Sequence, residues 1–138
     1  MGAIAVTVFG ASALRHDAYV SQVRLQQLIQ ARSGDDFWPA YRESLLSHPA
    51  DPGLAMLGAA RKVREQKIDA GPWIARTLVL APSWSAPHVL AAQWELGQGR
   101  QSRAVAALRS AAERDPKLAL YTLCDWLKRP AYGEVVFM

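Results

Sequence analysis

Residues 51–84, DPGLAMLGAARKVREQKIDAGPWIARTLVLAPSW, and residues 85–118, SAPHVLAAQWELGQGRQSRAVAALRSAAERDPKL, are two segments of equal length with shared punctuation. Pro82 and Pro116 stand 34 residues apart, as do Ala70 and Ala104, and Ile74 and Leu108. Within the segments the apolar residues fall into four runs. They are Leu54, Leu57, Gly58 and Ala60; Ile74, Leu78 and Ala81; Leu90, Ala91, Trp94 and Leu96; and Ala104, Leu108, Ala111 and Ala112. Residues three or four apart share a face of a helix, so each run buries one stripe and leaves the opposite side wet. No segment alternates apolar and polar residues for long enough to make a strand. The pattern predicts two helical hairpins in tandem.

Working outward, Ser33-Gly34-Asp35 and His48-Pro49-Ala50-Asp51-Pro52 break the preceding chain. They leave one helix over Tyr19 to Ala31 and another over Phe37 to Ser47, with Trp38, Tyr41, Leu45 and Leu46 on a common stripe. Asp51 offers a capping acceptor, and Pro52 suits the first helical position, where a missing N–H costs nothing. Asp69 or Gly71 opens the helix that carries Pro72, and Ser102 caps the helix running to Arg114. Asp35-Asp36 is an acidic pair suited to a helix N-terminus. Gly97-Gln98-Gly99 lacks both a preceding strand and the third glycine of a phosphate loop, so it is a turn between helices. Asp115-Pro116 closes the second segment, and Ala119 to Lys128 forms a last helix.

A chain of 138 residues, 51% apolar and 20% charged, fits one globular domain and is too apolar for a disordered one. A net charge of +4 attracts acidic surfaces without marking a nucleic-acid binder. The single cysteine, Cys124, excludes an intramolecular disulfide, and its apolar neighbours suggest a buried small hydrophobe. Ala3 to Leu14 is almost wholly apolar but too short to span a bilayer, which needs about 20 residues. It fits the stump of a longer membrane helix, a signal peptide cleaved near Ala11-Ser12-Ala13, or a docked first helix. Placement in the cytoplasm or at a membrane stays open. The organisation expected is an apolar segment over 1–16, a helical repeat domain over 17–130 and a tail over 131–138.

A 34-residue helix-turn-helix unit resembles the tetratricopeptide repeat. The residues that carry the likeness are Leu54, Leu57, Gly58, Ala70, Ile74 and Pro82, then Ala92, Gly99, Ala104, Leu108, Ala111 and Pro116. His88 departs from the usual aromatic near the start of a unit, and Arg61 and Glu95 stand where an apolar or aromatic residue is common. The resemblance implies an all-α fold, an α-solenoid of stacked antiparallel helix pairs with about two to three repeats and a capping helix. It also implies that the first helix of each unit lines a concave surface, which puts Lys62, Gln66, Val89, Gln93 and Arg100 at a partner-binding face. An apolar helix followed by a short repeat tail is similar, in arrangement only, to the end of bacterial O-antigen ligase-type membrane proteins.

Chemistry is hard to find. His16, His48 and His88 are scattered without partners at ligand spacing, so no metal or cofactor is expected. No Ser, Thr or Cys nucleophile has a base nearby in sequence, and no enzyme is expected. The basic run Arg61-Lys62-Val63-Arg64-Glu65-Gln66-Lys67 suits the C-terminal end of a helix dipole and doubles as an anchor for acidic side chains. Most of the five tryptophans, Trp38, Trp73, Trp84, Trp94 and Trp126, are expected in the core; Trp84, in a loop between units, packs against the next unit or stands as an exposed anchor. The leading function is a scaffold that holds a protein or peptide partner. The alternatives are a regulatory tail of a membrane protein, associated through the N-terminal segment, and weak nucleic-acid binding through residues 61–67.

Overall fold

The computed structural model describes residues 22–31, 34–65 and 69–128. The apolar N-terminal segment, Gln66 and the tail over 131–138 lie outside the described residues. Every regular element described is an α-helix. The helices are α1 (Gln22–Gln30), α2 (Gly34–Ser47), α3 (Pro52–Arg64), α4 (Ala70–Leu80), α5 (Ala86–Gly97), α6 (Gln101–Arg114) and α7 (Pro116–Leu127). The chain divides into two compact units, Met1–Leu57 and Gly58–Met138, with the boundary inside α3.

The first unit is built on aromatic packing. Phe37 and Tyr41, one turn apart on α2, are buried and stacked at 5.3 Å, and Trp38 meets both edge-on. Ser44 continues that buried stripe, whereas Leu46, expected on it, is 79% exposed. Five residues past Tyr41, Leu46 is turned about 140° around the helix and leaves the core face. Arg24 of α1 bridges to Glu43 at 2.7 Å and donates to Ser44 Oγ. Asp51 behaves as the sequence predicts, its Oδ1 accepting from Leu54 N at 2.9 Å while Pro52 opens α3. The Tyr41 hydroxyl donates to the Leu54 carbonyl at 3.0 Å, a buried bond from α2 to the first turn of α3.

The second unit centres on α5, which packs against α4, α6 and α7. Small residues make the approach close. Ala92 of α5 and Ala104 of α6 are essentially inaccessible and form a cluster with Leu96 and Trp126. Val89, Ala111 and Ala119 form a second cluster, and Leu108 touches both. Ser85, just before α5, donates to the Ala111 carbonyl at 3.0 Å and ties the start of one helix to the end of its neighbour. Gly99 takes φ of +73°, a left-handed conformation that costs glycine little. Arg100 N then reaches the Glu95 carbonyl and Gly99 N the Leu96 carbonyl, both at 2.9 Å, the paired bonds of a Schellman helix ending.

Several expectations are corrected. That ending turns the chain straight into α6, so Arg100 takes the cap position and Ser102 lies inside the first turn. Asp69 precedes α4 but caps nothing with its side chain, because its carboxylate pairs with Lys62. Asp115-Pro116 opens a helix instead of closing a unit: Asp115 Oδ1 accepts from Lys117 N and Leu118 N, and Pro116 is the first residue of α7. Pro82, by contrast, sits in a turn between helices. Cys124 is exposed, because the inner stripe of α7 is Ala119, Thr122 and Trp126 and Cys124 faces away from it. Trp84, in the turn between α4 and α5, is 44% exposed, which leaves it half-covered.

Candidate functional site

An open groove of about 720 Å³ lies within the second unit. Its walls come from every other helix: Ala60, Val63 and Arg64 from the last turns of α3; Leu90, Gln93, Trp94, Leu96 and Gly97 from α5; and Trp126 from α7. Gln98 completes the lining. Leu90, Leu96 and Trp126 are buried and form an apolar floor, while Arg64, Gln93 and Gln98 are exposed and polar. The periodicity of the sequence reappears here. Ala60, Val63 and Arg64 of α3 stand 34 residues before Trp94, Gly97 and Gln98, and all six line the same groove.

Trp94 is held from two sides. Its six-membered ring lies against Gly71 of α4, where a methyl group added to the glycine would stand 3.0 Å from the ring. The Arg100 guanidinium lies over the indole at 4.7 Å from the centroid and forms an ion pair with Glu95. Trp94 Nε1 and Arg100 Nη2 are buried without a hydrogen-bond partner among the described residues.

The ion pairs sort the basic run. Arg61 pairs with Glu65 one turn along α3, at 2.7 Å. Lys62 pairs with Asp69 at 2.7 Å and lies over the Trp73 ring at 5.7 Å. Arg64, in the final turn of α3, is exposed and lines the groove.

Of the five residues expected at a binding face, Gln93 lines the groove. Arg100 supports its tryptophan wall from behind. Lys62 is engaged with Asp69 and Trp73 and is not part of the lining. Val89 is buried between Ala111 and Ala119 and belongs to the core. Gln66 lies outside the described residues. The sequence places Arg64 in the basic run and most tryptophans in the core, which holds for Trp126 even as it floors the groove. The 34-residue offset between α3 and α5 is the signal that would have found the Ala60–Trp94, Val63–Gly97 and Arg64–Gln98 pairs.

Among the described residues, no three His, Cys, Asp or Glu side chains gather as metal ligands, and no helix is long and apolar enough to cross a membrane. Burial, reinforced by the nearby Arg114 charge, holds the pKa of His88 below the usual 6.5. It lies in the first turn of α5, near Arg114 and the Pro82 carbonyl, and is not part of the groove lining. Fold and groove together define a class, a protein all-helical over its described residues, with an open groove that mixes an apolar floor with exposed polar side chains. No family model, curated protein or solved structure matches the chain.

Proposed function

We propose that the chain is an interaction module of the tetratricopeptide type, and that the groove along α3, α5 and α7 holds a segment of a partner protein. The observation that carries this reading is the equivalence of the groove walls. Three positions of α3 recur one period later, at Trp94 and Gly97 of α5 and at Gln98 just past its end, in the lining of the same groove, as expected when successive helical hairpins stack in register. Ala70 and Ala104, also one period apart, are both buried at the helix contacts. A groove that sets an apolar floor beside exposed polar groups suits a peptide better than a flat protein surface. The basic run gives less support to a nucleic-acid partner, since Arg61 and Lys62 spend their charge on Glu65 and Asp69.

The test is a display selection of random dodecapeptides against the whole chain, followed by affinity measurements on groove-filling variants. Gly97→Trp projects an indole into the groove from a position with no heavy atom within 4 Å of an added Cβ. Ser102→Trp places the same side chain at an exposed position of α6 outside the groove lining. Selected peptides are expected to lose binding to the first variant and keep it with the second. Peptides indifferent to Gly97→Trp would place binding elsewhere and remove the groove from the account.

A further inference from the structure

The groove has a sign. Of the three described cations in the basic run, Arg61 and Lys62 are each neutralised by a carboxylate of their own neighbourhood. Arg64, which lines the groove, is engaged in no ion pair among the described residues and keeps its full charge. No Asp or Glu lines the groove among the described residues. Glu95, the nearest carboxylate in sequence on α5, is tied to Arg100. The remaining polar lining is Gln93 and Gln98, whose amides each offer donors and an acceptor.

We infer that the partner segment carries an acidic side chain beside an apolar anchor. The carboxylate pairs with Arg64, the anchor rests on the Leu90–Leu96–Trp126 floor, and the segment's main chain runs past the two glutamines. The inference rests on the groove reading above and adds the chemistry of what enters it. A guanidinium presents a planar fork that accepts a carboxylate through two parallel hydrogen bonds, so the contact selects for geometry as well as charge. Gln98, one period after Arg64 and just past the end of α5, adds a second polar group to the lining.

The experiment uses three sets of fluorescein-labelled peptides with the same Leu/Phe core, flanked by aspartate and glutamate, by asparagine and glutamine, or by lysine. Each is titrated by anisotropy against the full chain, Arg64→Glu, Arg64→Gln and the groove-filled Gly97→Trp. Acidic peptides are expected to bind about tenfold tighter than neutral ones, the ratio one good charge pair of roughly 1.4 kcal/mol supplies. Arg64→Gln is expected to abolish that preference, and Arg64→Glu to transfer it to the lysine set. Gly97→Trp-sensitive binding with no charge preference, or a preference that survives both Arg64 variants, overturns the acidic partner and leaves the groove standing. Failure of all three sets to bind overturns both.

Discussion

Gly71 of α4 and Trp94 of α5 meet so closely that one added carbon would stand 3.0 Å from Trp94 Cη2. Arg100 covers the indole from another side, so the ring has little freedom to yield. Gly71→Ala should therefore lose about 1 kcal/mol of stability to overpacking, although alanine is the better helix former by about the same amount. Urea unfolding measures it. Adding Arg100→Ala should release the ring and shrink the penalty. If Gly71→Ala stabilises the chain in both backgrounds, the contact is looser than 3.0 Å.

Asp51-Pro52 and Asp115-Pro116 are the same dipeptide at the same place, a capping carboxylate with proline at the first helical position. The settings differ, because Asp51 is 5% exposed and Asp115 is exposed. A lost cap costs about 0.5–2 kcal/mol, and more where water cannot replace the acceptor. Asp51→Ala should fall near the top of that range and Asp115→Ala near the bottom, by chemical denaturation. Equal losses would mean that burial plays no part in the Asp51 cap.

His88 carries a pH dependence of definite sign. Its folded pKa is lowered by burial first and by Arg114 second, with Glu113 and the Pro82 carbonyl acting the other way. The unfolded chain therefore takes up the proton more readily. The stability His88 contributes is fully present above the ordinary value of 6.5 and drains away as pH falls from there toward the lowered folded value. Melting temperatures from pH 7.5 to 5 should fall less steeply for His88→Gln than for the unaltered chain. Parallel curves would assign the acid sensitivity to other groups.

Helices were legible wherever apolar spacing and capping chemistry agree. Asp51-Pro52, the turn at Gly99 and the buried pair Ala70 and Ala104 all stand where the residues alone place them. Asp115-Pro116 was harder, because proline ends one helix and begins the next equally well. Only the bonds from Lys117 N and Leu118 N to Asp115 decide between the two. The face of each helix was harder still. Lys62 lies two residues from both Ala60 and Arg64, about 200° around the helix from each, which puts it on the side of α3 away from the groove. Val89 and Gln93 are one turn apart, yet the first meets Ala111 and Ala119 and the second meets solvent. Periodicity identifies a stripe, and the neighbours that cover part of it come from elsewhere in the chain.

The exposed position of Cys124 gives the molecule a built-in reporter. It is the chain's single thiol and it stands on α7, the helix whose Trp126 floors the groove. A maleimide dye or nitroxide will attach at one place without any prior substitution. Its signal will report on the last helix through any titration of the chain.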